Sequence, residues 1–432
     1  MLLLFRVPEP AGRSGNVRAR GRMGEPRQAR RAWICAAILV VGAVRVAVAE
    51  PARVVTVHAT GEGALGQPIV GLTVGGGRTV TSGGDDLAVL LGNAGIAILD
   101  TGASAHVLSA ATAARAGVEA EPGARYVEVG VGGEHALGVS RPCTLALSAA
   151  VVPDLAALLG AAAGDEPRAR PAASTARAQS AARDAVTLTA ERLLLHAPPA
   201  DTVAPELGAL IDVVGMPALL QMVATITPGR SIGPVPVEVR AKDARETADL
   251  WVPLVLEDFN RPHDPRNRGS LPALASNPLV GVRAYAGGAS VEGRWLLDTG
   301  AAVTMLSRAT ARALGLVDDG GRPLRKAEFA LPLAGISGPE RSLPGFRIDR
   351  LEIAAEHDIA LVFPRPAVVV EDISVTDDAG RTRTLDGVLG MNLLLASGSD
   401  LRDGAFATEH EPAFTRIVLD MPRARLGLTP RR

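Results

Sequence analysis

Two stretches of this chain carry nearly the same message: Ala97-Ile98-Leu99-Asp100-Thr101-Gly102-Ala103 and Trp295-Leu296-Leu297-Asp298-Thr299-Gly300-Ala301. In each, three apolar residues lead into Asp-Thr-Gly and an alanine follows. An apolar run closed in this way reads as a buried strand ending in a tight loop. The glycine lets backbone approach closely, and the aspartate is presented at the loop. A single Asp-Thr-Gly is compatible with an ordinary turn after a strand. Two copies in the same setting ask whether the surrounding chain is also written twice.

It reads that way. Ser109 stands nine residues after Asp100, and Ser307 nine after Asp298; Gly117 and Gly315 each stand seventeen after. The alanine-rich residues 110–116 and 308–314 between them predict a short helix with a serine N-cap and a glycine stop. Further out, Pro68-Ile69-Val70-Gly71-Leu72 is matched by Pro278-Leu279-Val280-Gly281-Val282. Gly130-Val131-Gly132-Gly133 is matched by Gly335-Ile336-Ser337-Gly338, and Val213-Val214-Gly215-Met216 by Val388-Leu389-Gly390-Met391. We therefore expect an internal duplication. The copies are 198 residues apart at the aspartates and 175 at the Gly-Met pairs, so the first copy carries 198 − 175 = 23 extra residues. Residues 161–183, rich in Ala, Arg, Pro and Ser and without apolar periodicity, read as a disordered insert.

Elsewhere short apolar runs alternate with Gly and Pro turns. Strands are expected at residues 126–131, 186–195, 235–239, 350–354 and 359–363, with a closing hairpin of 416–420 and 425–428 turning at 421–424. Residues 260–270 read as a second soft region. The fold class expected is mainly β: two related β-barrel lobes with few short helices and a cleft between them. A length of 432 residues suits two such domains. The boundaries expected are 1–49 for a signal peptide, 50–240 for the first lobe with its insert, and 241–432 for the second.

The signal reading rests on arginines at 18, 20, 22, 27, 30 and 31, an apolar run over 32–44, and Ala47-Val48-Ala49 as an A-x-A site. The run is about 13 residues, short of the ~20 that span a bilayer. Export to the periplasm or the medium is expected, with an uncleaved anchor as the alternative. Residues 1–22 read as an over-extended start before Met23. Cys35 lies in the signal, which leaves Cys143 alone as a small core residue and gives no internal disulfide. A formal net charge of −1 and the lack of a basic stripe after the signal argue against nucleic acid. No His-Glu-x-x-His or Cys-x-x-Cys spacing supports a metal site, and no cofactor is expected. His106 reads as a surface or packing residue, Met216 and Met391 as core fillers, and Asp85-Asp86 and Asp318-Asp319 as solvated turns.

Two facing Asp-Thr-Gly loops would bring two carboxylates within hydrogen-bond reach. Like charges that close cannot both ionise, so one proton is shared. The ionised member can take a proton from water while the protonated one polarises a carbonyl. At these motifs the chain resembles the aspartic peptidases, and the retropepsin-like branch more than pepsin itself, since alanine follows the glycine. The resemblance spans most of residues 65–430. It implies catalysis by Asp100 and Asp298, with Thr101, Gly102, Thr299 and Gly300 shaping the loops and Gly215 and Gly390 supporting them from behind. It also implies flaps at Gly130, Val131, Gly132 and Gly133, and at Gly335, Ile336, Ser337 and Gly338, closing on a peptide or protein substrate. Both halves in one chain imply a monomer, unlike the usual retropepsin pairing of two chains. The flap tyrosine of pepsin has no secure counterpart; Tyr126 lies nearby and reads equally as core. The alternative expectation is a non-catalytic, exported peptide-binding protein that retains the fold.

Overall fold

The computed structural model describes residues 53–59, 61–63, 67–75, 95–130, 133–149, 186–196, 212–229, 235–333, 341–376, 381–395 and 411–431. They belong to one compact unit, Pro51–Arg432. The expected signal peptide, the insert at 161–183, Asp85, Asp86, Val131, Gly132 and the Gly335-Ile336-Ser337-Gly338 stretch lie outside the described residues.

The protein is mainly β, with two large curled sheets and a few short helices. The Asp-Thr-Gly loops arise in the same way in both. Strand Ile96–Leu99 runs antiparallel to Pro68–Gly75, pairing Ile69 with Ile98, and parallel to the short strand Val213–Val214. Strand Ala289–Leu297 runs antiparallel to Asn277–Ala286 and parallel to Gly387–Leu389. Pairing registers match residue for residue: Val213 faces Ile98 and Val107, while Val388 faces Leu296 and Met305. Each short strand is buried on both faces, so it reads as continuous apolar sequence and not as alternation.

The two seven-residue alanine-rich stretches fold as expected. Helix Ala110–Ala116 is capped by Ser109, whose hydroxyl accepts from the Thr112 N–H, and it stops at Gly117 in the left-handed region at φ 64°. Helix Arg308–Ala313 is capped by Ser307, which accepts from the Thr310 N–H. Gly315 follows it at φ 69°.

Sheet membership does not divide at one point of the chain. The strand Arg53–Thr56 pairs in parallel with Ile359–Pro364 of the second half. In return the closing hairpin, Phe414–Asp420 and Arg425–Pro430, joins the sheet of the first half, where Phe414–Asp420 pairs with Met222–Ile226. The hairpin turn forms a 3-10 turn over Met421–Arg423. Each half therefore carries an element of the other. Packing follows suit: one cluster of buried side chains includes Leu99, Met216, Leu297, Met391 and Phe414. Cys143 lies in that cluster, and burial pushes its thiol up to about 11.

The strand expected over 186–195 is two strands, Val186–Glu191 and Leu194–His196, separated where the Leu193 N–H turns to the Ser140 hydroxyl. Residues 260–270, expected to be soft, are instead pinned. Arg125 and Arg268 exchange backbone hydrogen bonds, Asn267 Oδ1 accepts from the Val127 N–H, and Arg261 and Arg266 both hold Glu134. Composition hid this because the partners are the edge of a strand 140 residues earlier. Among the described residues, no helix is long and apolar enough to cross a membrane.

Candidate active site

The two Asp-Thr-Gly loops meet. The Thr101 hydroxyl donates to Leu297 O at 2.6 Å and accepts from the Thr299 N–H at 3.0 Å. The Thr299 hydroxyl donates to Leu99 O at 2.6 Å and accepts from the Thr101 N–H at 3.0 Å. Both threonines are fully buried, so these four bonds have no water competing for them. They clamp the end of each strand to the other loop.

Two further cross-braces were not anticipated. The Asn277 amide donates to Thr101 O at 3.0 Å, and the Gln67 amide donates to Gly300 O. Both residues immediately precede a proline that opens a matched landmark, Pro68 or Pro278. An amide immediately before each of these prolines was the available signal. Asn277 also accepts from the Ser104 hydroxyl, at 3.2 Å.

The clamp sets the carboxylates against each other's loops. A Cβ on Gly102 would lie 2.6 Å from Asp298 Cγ, and one on Gly300 would lie 2.5 Å from Asp100 Cγ. Only glycine fits either place. Each aspartate also accepts from its own loop: Gly102 N–H to Asp100 at 2.7 Å, and Gly300 and Ala301 N–H to Asp298 at 2.8 and 2.9 Å. Set against each other's loops, the two carboxyl groups act on each other and share one proton as a pair. Burial raises both above the ordinary carboxylate range, and Asp298 rises further because the Asp100 charge faces it. Both remain half-buried, and Asp298 lines a pocket.

Behind the loops, Val214 O accepts from the Asp100 N–H and Leu389 O from the Asp298 N–H, at 3.0 and 3.1 Å. Gly215 and Gly390 come next. A Cβ on Gly215 would lie 2.6 Å from Ala103 O, and one on Gly390 would strike the Val303 carbonyl. These glycines admit the loop backbone, and the Met216 and Met391 N–H groups then donate to Ala103 O and Ala301 O, each at 2.9 Å. Both methionines are core. His106 is also buried, not at the surface, and its Nδ1 accepts from the Gly215 N–H at 3.1 Å.

Of the flap candidates, Gly130 and Gly133 pair with each other and close the hairpin Ala120–Gly130 and Gly133–Ser140. Tyr126 on this hairpin is 1% exposed, and its phenol accepts from the Arg261 N–H at 3.1 Å. Tyr126, Glu128, Gly102 and Asp298 line one pocket with residues of the second half, among them Phe259, Arg261 and Leu385. Asp318, a turn residue as expected, accepts from the Gly320 and Arg322 N–H groups.

The Aspartyl protease family model matches residues 282–393, a span that contains Asp298, Gly300 and Gly390. This is an aspartic peptidase-like protein. The solved structures similar to it include the crystal structure of basic 7S globulin from soybean, at 10% identity and a TM-score of 0.33, over 84% of this chain and 96% of that one. No curated protein matches the chain. The aspartic peptidase-like chain carries its second Asp-Thr-Gly loop inside the matched span and its first outside it, and the two are joined by equivalent bonds made in both directions.

Proposed function

We propose that this protein is an aspartic endopeptidase in which Asp100 and Asp298 hydrolyse peptide bonds through a shared water. The observation that carries the reading is the threonine clamp that sets each carboxyl against the glycine of the other loop, where burial raises both and the pair shares one proton. Asp100 then serves as the base. It takes a proton from water as the water oxygen attacks the scissile carbonyl carbon. Asp298 gives its proton to the carbonyl oxygen, leaving a neutral gem-diol. In the second step the proton on Asp100 passes to the leaving nitrogen. A gem-diol hydroxyl returns its proton to Asp298, the C–N bond breaks, and the dyad is restored.

The threonine clamp and the Gln67 and Asn277 braces supply rigidity, which keeps both carboxyls at the reacting carbon without reorganisation. The hairpin carrying Tyr126 and Glu128 is the cover over a peptide in the pocket. The substrate is an extended peptide or protein segment, the protein acts as a monomer, and its place of action is outside the cytoplasm, reached through the N-terminal signal.

Digestion of a peptide library by wild type, Asp100→Asn and Asp298→Asn tests the reading. Cleavage by wild type alone is expected. Binding of peptides without cleavage by any of the three would replace peptidase by a non-catalytic peptide-binding protein.

A further inference from the structure

The pocket beside Asp298 contains a carboxylate that the dyad chemistry does not use. Glu128 sits on the covering strand Ala120–Gly130 and lines the pocket together with Gly102 and Asp298. Phe259, Leu296 and Leu385 give the same pocket apolar lining, beside Arg261, Ser104 and Asn277. The charges around Glu128 pair off without it. Arg261 holds Glu134 at 2.6 Å, and Arg266 holds both Glu134 and Asp264, the latter at 2.7 Å. Arg261 Nε also lies 3.8 Å from Asp264. Two cations are thereby matched by two anions.

Glu128 is the anion left over. The charged groups acting on it are Arg261, already engaged, and Asp100. Its backbone pairs with His135 across the hairpin, but its carboxylate makes no hydrogen bond or ion pair among the described residues. Burial pushes its carboxyl up to about 7, with the Asp100 charge adding to the rise and Arg261 opposing it. A half-buried carboxylate without a counter-ion is costly, and an incoming cation would relieve that cost.

We propose that Glu128 is a specificity-determining residue that selects a lysine or arginine side chain of the peptide substrate, next to the scissile bond. The aliphatic stem of such a side chain lies along Phe259, Leu296 and Leu385, and its charged head meets the carboxylate. An acid in a pocket with apolar lining matches such a stem and charge, whereas a purely aliphatic side chain would leave the carboxylate unpaired or force it to take up a proton. The proposal rests on the peptidase reading only in taking an extended peptide to occupy this pocket.

Matched peptides carrying lysine or the uncharged norleucine at either residue flanking the scissile bond test it. Wild type is expected to favour lysine in kcat/KM by at least about tenfold at one of the two positions, equal to about 1.4 kcal/mol. In Glu128→Gln that ratio should fall to about one, and in Glu128→Lys it should invert in favour of a glutamate peptide. A second arm needs no cleavage: the same peptides with a hydroxyethylene isostere replacing the scissile bond are titrated calorimetrically against wild type and Glu128→Gln. Discrimination by Kd that depends on Glu128, without any cleavage of the parent peptides, would sink the peptidase reading and sustain this one. Cleavage with no preference for lysine in wild type, or a preference that survives in Glu128→Gln, would overturn this one and leave the peptidase reading standing.

Discussion

The two halves build the same loop support from different chemistry. In the second half the Gly390 N–H donates to the Thr304 hydroxyl at 3.2 Å, and that hydroxyl donates to Asn392 Oδ1 at 2.7 Å. The Asn392 amide goes on to Gly61 O and Ala367 O, at 3.2 and 3.0 Å. Every member of that buried network has a partner. In the first half His106 stands at the Thr304 position and Pro217 at the Asn392 position, by the same offsets of 198 and 175 that relate the loops. The Gly215 N–H donates to His106 Nδ1, which fixes the proton on Nε2, and Nε2 is buried with no partner among the described residues. One backbone donor is thus served by a hydroxyl in one half and by a ring nitrogen in the other. Geometry is kept while sensitivity to acid differs.

A second exchange lies one layer behind. Asp212 accepts from the Ser109 N–H at 2.8 Å and the Thr112 hydroxyl at 2.6 Å, steadying the helix start by side chain. The matching residue in the second half is Gly387, where a Cβ would come within 2.7 Å of the Trp295 ring. There Asp386 steadies the helix by its backbone carbonyl, which accepts from the Ser307 N–H and the Thr310 hydroxyl. Ala97 stands where Trp295 does, so the first half has room for a carboxylate and the second fills that room with an indole.

The largest expected effect tests whether the halves are unequal at the dyad itself. Asp100→Asn and Asp298→Asn should each lower kcat/KM by about a thousandfold or more, because base and acid are both needed. Their stabilities should differ. The folded pKa of Asp298 lies well above its unfolded value, so its contribution is fully present below the unfolded pKa and is lost as pH rises through the folded one. Asp298→Asn should therefore melt higher than wild type at neutral pH, and by more than Asp100→Asn. Melting curves at pH 4 and pH 8 check this; equal behaviour of the two variants would remove the asymmetry.

Next in size is the histidine. Burial holds His106 down to about 4, below the ordinary value of 6.5. Its contribution to stability is complete above 6.5 and is lost as pH falls through 4. The loss at full effect is about 3 kcal/mol. His106→Thr with Pro217→Asn transplants the second-half network and should flatten the acid limb of the stability curve. An unchanged limb would mean that other groups set it.

Smaller again is the Trp295 exchange. Gly387→Ala should cost about 1–3 kcal/mol by overpacking against the ring and Met305 O. Denaturant midpoints measure it. If even Gly387→Asp, the first-half residue, leaves the midpoint unchanged, the compensation argued for Ala97 and Trp295 is wrong.

What could be read in the sequence was what recurs locally. The apolar triplet before each aspartate, the serine cap and the glycine stop are all set by neighbours within one turn or one strand, so their spacing survives in print. The Gln67 and Asn277 braces act on the backbone of the opposite loop and left only a repeated amide before a proline. The pinning of residues 260–270 depends on a strand edge far away, and a Pro- and Arg-rich stretch looks the same whether or not an edge waits for it. The exchange of the Arg53–Thr56 strand and the closing hairpin between sheets is likewise a matter of partner choice, which strand propensity does not encode. The insert expected at 161–183 lies outside the described residues, within one connection between strands. Residues 150–185 separate Cys143–Ala149 from Val186–Glu191, whereas only 356–358 separate the corresponding strands Arg350–Ala355 and Ile359–Pro364.

The smallest expected effect concerns the alanine after each Asp-Thr-Gly. Burial already lifts both carboxyls, and catalysis needs the singly protonated pair, so activity should follow a bell between two raised apparent values. A serine hydroxyl at these positions could donate to the ionised carboxylate, favour that form and lower its pKa. The profile should then move toward acid, by roughly half a pH unit to one unit for one such bond. The halves differ here too. Ala103 is half-buried at the margin of the cluster of Ala105 and Val107, whereas Ala301 is 8% exposed and lies within the cluster of Val303 and Leu331. Ala103→Ser should therefore give most of the shift at little cost in stability, and Ala301→Ser less shift at more cost. The pH dependence of kcat/KM for the two single variants and the double measures both. A shift toward alkali, or none in Ala103→Ser, would show that the loop N–H groups and burial alone set the dyad, leaving no place for a hydroxyl.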